Sequence, residues 1–579
     1  MADPEIGLPR TSSDLEDGNN ADLPVAHHTR KASIHDKDYS ADSSSRSSAT
    51  DGNGPIEWHY LTWNTDLPPP AFSTVKDVDQ TKLPSPATYE KYISPFTWSP
   101  ARKRFITWLS CAATTLTAYV AGSYTAADTQ MEEYWHVSHV AITVGVTIFT
   151  TGFGLAPMVL APFSEINGRR PMFVVTGVLF VILQLCCAVT RSYPGMLVAR
   201  FFVGCMSSTF STMVGGVVSD IYHAEDRNTA MALFSGAALF GTGLGPLISG
   251  FIATRTTWRW IFYSQVIADA LLMVCIVLFF KETRGSVLLS RKAKKINKYY
   301  EQLEALGIVG VHMPAMSDME KPLQQTDMEK PVLRRIRWKV TSDEERASLA
   351  TMIGVSIYRP FHLLFTEPTV FFFSLWISFA WAVLYLTFGA IPLVFINHHG
   401  FTLDQAGAVF TAISIAGIIS TIIAITAEKY LRRTRPELLK SPEGRLWPAC
   451  IQSILLPIGL FWFAWTQFSS IPWIVPTLAI GCATMGIYSI YLAVFNYLAD
   501  TYHKYASSAL AAQSMCRNLL GGALPLFVDQ MFNGMTYQGA GSLLGGLGLI
   551  LTAVPFVLAI WGPQIRKRSK IASQIMQDD

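Results

Sequence analysis

Charge is scarce in this chain. Asp, Glu, Lys and Arg make up 15% of its 579 residues, against roughly 25% in ordinary soluble proteins. With 50% hydrophobic residues and a mean hydropathy of +0.29, that shortfall excludes a water-soluble globule of this length. The remaining charge nearly balances at net +3, so nucleic acid is not an expected partner. Cysteine is sparse too. The eight residues (Cys111, Cys186, Cys187, Cys205, Cys275, Cys450, Cys482, Cys516) lie in or beside apolar runs without a C-x-x-C pair, which argues against a disulfide framework or a zinc site. There is no N-x-[ST] acceptor and no G-x-x-x-x-G-K-[ST] phosphate loop, so direct drive by ATP is not expected. Residues 1–50 hold no apolar run that could serve as a signal peptide, leaving targeting to the first span. No nucleophile–base pair or metal cluster stands out, so neither an enzyme nor a cofactor or metal is expected.

What the chain has is long apolar runs. Windows near 105–126, 139–162, 171–190, 195–218, 229–252 and 260–280, then 369–395, 403–427, 446–466, 474–499, 507–531 and 541–561, each reach or approach the roughly 20 residues that cross a bilayer as a helix. Basic clusters (Arg102 to Arg104, Arg169 and Arg170, Lys281 to Lys295, Lys429 to Lys440, Arg566 to Lys570) recur between alternate runs, while the opposite loops are poor in Lys and Arg. The positive-inside rule then puts both termini in the cytosol. The expected divisions are a disordered tail 1–98, a six-helix bundle 99–280, a cytosolic linker 281–365, a second bundle 366–562 and a tail 563–579. Within the linker, 291–306 is helix-compatible, and D-M-E-K-P occurs twice between 318 and 331.

The two halves also share signals. Glu165, Arg169 and Arg170 return as Glu428, Arg432 and Arg433 at an offset of 263, and Asp220-Ile-Tyr222-His223 returns as Asp500-Thr-Tyr502-His503 at 280. Gly241 returns as Gly521 at the same offset. Duplication of a membrane unit marks a transporter.

These motifs carry a resemblance. APFSEINGRR at 161–170 resembles the loop between helices two and three of the major facilitator superfamily, with Glu165 in the acidic place, Gly168 at the turn and Arg169 and Arg170 as the basic pair. Ala161 and Ile166 depart from that pattern. Arg200-Phe-Phe-Val-Gly204 is similar to the family's R-x-x-Q-G element, with Val203 where Gln is usual. Gly241-Thr-Gly-Leu-Gly245-Pro246-Leu-Ile-Ser-Gly250 resembles the G-x-x-x-G-P-x-x-G-G pattern of proton antiporters, Ser249 replacing one Gly. Over about 100–565 the chain thus looks like the fungal twelve-span drug:proton antiporter branch. The resemblance implies an all-α membrane protein of two six-helix pseudo-repeats, with spans one, four, seven and ten around a cavity.

Specific expectations follow. Gly168 permits a tight turn, and the hinge charges form a gate, Arg169 pairing with Asp220 and Arg432 with Asp500, with Glu165, Arg170 and Glu428 beside them. Gly241, Gly245, Ser249 and Gly250 let a neighbouring helix approach, and Pro246 favours a kink. Ionisable residues deep in spans are suspected of function: Arg200, Arg517 and Asp269, with Asp128 at the outer end of span one. Asp128 with Arg200 is the preferred proton-coupling pair, since a carboxylate parted from an arginine takes up a proton more readily; Asp269 is the rival. Cavity candidates are Tyr119, Tyr124, Trp376, Phe379, Tyr385, Tyr488, Tyr491 and Arg517. Trp376 and Phe379 lie roughly 60° apart on a helix, whereas Tyr385 is roughly 180° from Trp376, so these are rivals for one cavity. The expected function is proton-driven export of small lipophilic compounds from a monomer in the plasma membrane. The alternatives are an organic-acid or polyamine carrier, of which Arg200 and Arg517 favour the anion, and a non-transporting membrane sensor.

Overall fold

The computed structural model describes residues 54–70, 92–223, 226–313, 332–502 and 505–569. The linker repeat, His503 and residues 570–579 lie outside these. The first ten spans are helical stretches at Pro100–Trp135, His139–Asn167, Arg169–Val189, Tyr193–Ile221, Arg227–Arg255, Arg259–Phe279, Pro368–His399, Leu403–Thr434, Gly444–Thr466 and Ile474–Tyr502. Local chemistry sets several starts. Ser99, Ser138 and Ser192 accept from the backbone N–H three residues on, and Pro100 and Pro194 occupy the first turns. Span one is longer than expected because its helix continues through a 3-10 turn, Thr125–Ala127, into Asp128–Trp135.

An eleventh stretch, Ala506–Arg568, is 63 residues long. At 1.5 Å per residue it would measure about 95 Å, some three times the hydrocarbon thickness of about 30 Å. It cannot be one crossing. A 3-10 turn at Leu524–Phe527 interrupts it, and Thr536 breaks it with φ 63° and ψ 159°. Ala506–Ala523 packs on spans seven and two, while Val528–Arg568 packs on spans nine and seven. These are spans eleven and twelve.

The two halves repeat one packing scheme: one on five, two on four and three on six, then seven on eleven, eight on ten and nine on twelve. Spans five with eight and two with eleven join the halves. Small residues permit this approach. A Cβ on Gly241 or Gly245 would meet the span-one backbone, and one on Gly250 would meet Leu403 in the other half. Span five runs as one helix through Pro246.

Two small sheets accompany the helical bundle, and one of them takes a strand from the segment before residue 98. Strand β1 (Glu57–Tyr60) pairs in parallel with β4 (Ile336–Lys339) of the linker, and β2 (Val311–Met313) pairs antiparallel with β3 (Val332–Arg334). Leu61, Ile296, Tyr300, Ile336 and Trp338 form a separate apolar core beneath the linker helix Gly285–Ala305. A lone strand shows no partner in the sequence, and this one finds its partner across the first bundle, Glu57 facing Ile336. Glu304 holds the module together by accepting from both Arg335 and Arg337 at 2.8 Å. Burial pushes its carboxyl up, but the two guanidiniums outweigh that and hold it at about 2.

Candidate functional site

The first hinge forms where span two ends at Asn167 and span three begins at Arg169. Gly168 between them has φ 102°, in the region that favours glycine. Arg169 Nε donates to Asp220 Oδ2 at 3.2 Å and its Nη1 to Ser164 at 2.7 Å. Asp220 also accepts from Arg284 at 3.3 Å. Sequence reasoning missed Glu282, which binds the start of span three: its carboxylate accepts from the backbone N–H of Arg169 at 2.8 Å and of Arg170 at 3.3 Å. That places an anion on the positive end of a helix. A Cβ on Gly168 would strike this carboxylate. The sequence signal was slight, one acidic residue in the basic cluster after span six. Glu165 is half-buried without an ion-pair partner among the described residues, and the Arg170 guanidinium donates to Val277 O at 3.0 Å.

The second hinge departs from expectation. Arg432 pairs with Glu428 at 3.0 Å, one turn away, and lies 3.7 Å from Asp226. Asp500 takes Arg445 at 2.6 Å and Arg227 at 2.9 Å instead. The reason is the connection at 436–446, whose two 3-10 turns carry the chain past the end of span eight. Arg445 thereby starts span nine much as Arg169 starts span three. Arg227 belongs to the first half, so Asp500 ties the halves together. Asn496 donates to Asn228 at 2.6 Å and Tyr488 to Ala232 O at 3.0 Å nearby. Tyr488 is thus held at the contact between halves.

Midway along the bundle lie two buried arginines. Arg200 is 0% exposed, its guanidinium 4.4 Å from the Tyr124 ring and 4.5 Å from the Phe149 ring. Its Nε donates to Gly145 O at a long 3.5 Å, and Nη1 and Nη2 have no partner. Arg517 is 1% exposed, 4.5 Å from the Trp381 ring and 4.9 Å from that of Tyr491, with Nε and Nη1 unpartnered. Each guanidinium thus lies within cation–π distance of two aromatic rings. Tyr385 lies within electrostatic reach of both guanidiniums. Glycines make the room: a Cβ on Gly145 would strike Tyr124, and one on Gly521 would crowd Trp381.

In span seven, sequence reasoning missed Trp381, which meets Arg517 and stacks on Tyr491 at 5.2 Å, while Tyr385, four residues on along the same face, lies beside Trp381. Phe379 is packed near Gly548 of span twelve, and Trp376 is fully buried beside Phe373. Helical spacing gives angles between residues but not which angle faces inward, so it left the two faces as rivals.

Asp128 lies within electrostatic reach of Arg200, Glu132 and Asp529, but not within 4 Å of Arg200. Its Oδ1 is unpartnered, as is Oδ2 of Asp269, which is 2% exposed and interacts with Tyr119. Among the described residues no cluster could hold a metal ion.

Two pseudo-equivalent six-helix bundles, tied at one end by ion pairs and holding buried arginines without an acid partner, have the architecture of a secondary transporter. The chain belongs to the Major Facilitator Superfamily, whose sequence model matches residues 105–526. It is similar to the efflux pump FUB11 of Gibberella moniliformis, 32% identical over 80% of this chain and 73% of that one. The multidrug transporter TPO1_2 of Candida glabrata is 32% identical over 83% and 78%. In fold it resembles the proton:xylose symporter XylE, with TM-score 0.54 and 15% identity over 80% of this chain and 97% of that one.

Proposed function

We propose that this protein exports small lipophilic compounds across the plasma membrane in exchange for protons, as a monomer with both termini in the cytosol. Drugs and secondary metabolites are the cargo class, a reading drawn from relatives that are an efflux pump and a multidrug transporter. The observation that carries the mechanism is Asp500, shared between Arg445 of its own half and Arg227 of the other. A carboxylate with one partner in each half can release one and keep the other, so the contact at that end opens without leaving the carboxylate unpaired. Arg169 with Asp220 and Glu282 then keeps the first bundle rigid while the halves rock. Aromatic rings around Arg200 and Arg517 line the cargo region, and Asp128, within electrostatic reach of Arg200, carries the proton, with Asp269 as the rival site. No cofactor is involved. Cells overproducing the protein should tolerate, and those lacking it should accumulate, a common subset of a panel of lipophilic toxins. Binding of those toxins to the purified protein without any movement across vesicles would favour a membrane sensor instead.

A further inference from the structure

Arg200 and Arg517 are unusual in having nothing to neutralise them. A charged side chain inside a bilayer-spanning bundle is costly and is ordinarily paired with an acid or with backbone carbonyls. Here Arg200 keeps both terminal nitrogens free and Arg517 keeps Nε and Nη1 free. No carboxylate of the described residues lies within 4 Å of either. Asp128 reaches Arg200 only at longer range, so positive charge is in excess between the halves. Aromatic rings flank each guanidinium, which softens the cost and fixes the plane of the group without using its N–H donors. Gln513, one turn before Arg517 on the same helix face, is also fully buried with both its amide nitrogen and its amide oxygen unpartnered, so the excess of donors rests on the two arginines. The region therefore offers donors and positive charge in excess, walled by flat apolar rings.

We propose that the cargo carries a carboxylate on a planar, apolar body, and that Arg200 and Arg517 are the groups that hold the carboxylate. This rests on the reading that the region between the halves is the cargo site. The free Nη1 and Nη2 of Arg200 form the fork that accepts two carboxylate oxygens at once. Trp381, Tyr385 and Tyr491 supply the aromatic surface beside Arg517 on which the rest of the molecule would pack. Such a compound is a lipophilic weak acid, which satisfies both the apolar walls and the unpaired charge. A polyamine would place like charges against two buried arginines.

The test compares 2-naphthoate with its neutral isostere 2-naphthamide, by equilibrium binding of each tritiated compound to the purified full-length protein. The carboxylate should bind at least about tenfold more tightly, as expected of a charge-assisted contact replaced by a neutral one. Arg200→Gln and Arg517→Gln should each shrink that ratio to within about threefold, and Arg517→Lys should keep part of it. Equal affinity in the unaltered protein, or a preference that survives both glutamine substitutions, would overturn the proposal. The unaltered protein alone decides the first point, so a variant that fails to fold does not spoil the test. The export reading fails separately: naphthoate preferred in binding but not moved across vesicles leaves the anion site standing, whereas naphthamide moved without any preference for naphthoate does the reverse.

Discussion

Asp500 accepts from Arg227 at 2.9 Å across the boundary between the two halves, while Arg445 holds its other oxygen from within its own half at 2.6 Å. Asp220, the equivalent residue of the first half, takes Arg169 from that same half and Arg284 from the start of the linker, and neither belongs to the second half. The repeat is therefore symmetric in its acids and asymmetric in its bases, and only the second copy spans the interface. Arg227→Ala should loosen that end of the bundle. In a background freed of native cysteine, Asn228→Cys with Asn496→Cys should cross-link efficiently, because these side chains touch at 2.6 Å. Adding Arg227→Ala should cut the cross-linking rate several-fold, since losing about 1–2 kcal/mol shifts a two-state equilibrium by that much. An unchanged rate would show that Asp500 does not hold the halves together.

Gly168→Ala should be more damaging than its size suggests. An alanine at φ 102° costs about 1–3 kcal/mol in backbone strain, and its methyl also collides with Glu282. Thermal melting of the purified variant should fall clearly below that of the unaltered protein. Glu282→Gln should fall less, keeping one acceptor oxygen for Arg169 N–H but losing the second acceptor and the charge at the helix start, the charge worth about 0.3–1 kcal/mol. Equal melting of all three would remove Glu282 from the hinge.

Asp128→Asn should abolish dependence of transport on the pH gradient while cargo binding persists, because its carboxylate is the one that senses Arg200. Asp269→Asn should keep the coupling. The opposite pattern would move the proton site to span six.

Trp381→Ala and Tyr385→Ala should each weaken planar aromatic cargo by up to about tenfold, since a stacked contact is worth about 0.5–1.5 kcal/mol. Phe379→Ala should instead lower stability by about 3–5 kcal/mol with little change in selectivity, because its ring packs near Gly548 and is 6% exposed. A selectivity change at Phe379 alone would place the cargo on the rival Trp376 and Phe379 face.

The module built from β1, β4 and the linker helix should respond to acid through Glu304. Its carboxyl sits at about 2 when folded, below the ordinary 4.5, so its contribution is complete above about pH 4.5 and fades as pH falls towards 2. Glu304→Gln should speed amide exchange at 336–339 at pH 7, and the gap between the two proteins should narrow as pH falls from 4.5. A gap that stays constant with pH would mean that charge on Glu304 does not matter.

The helical bundle was legible because a bilayer imposes a length and a polarity on every crossing, and the alternation of basic loops follows from that. The Arg169 to Asp220 contact was legible for a similar reason, each residue being anchored at a span end on the same side. The partner of Asp500 was not, because Arg432 keeps the motif spacing while the 3-10 turns at 436–446 hand its place to Arg445. Glu282 escaped notice because binding to backbone N–H groups leaves no side-chain pattern to read. Strand β1 was missed because its partner lies in the linker beyond six spans, where no local periodicity signals it.

Uphill movement in reconstituted vesicles tests proton-driven transport most directly. With the full-length protein in vesicles carrying an imposed pH gradient, labelled 2-naphthoate and 2-naphthamide are followed beside protein-free vesicles. A transported cargo should gather on the more acidic side above its level in protein-free vesicles, and a protonophore should erase the difference. Cargo that merely equilibrates, whatever the pH gradient, would contradict exchange with protons.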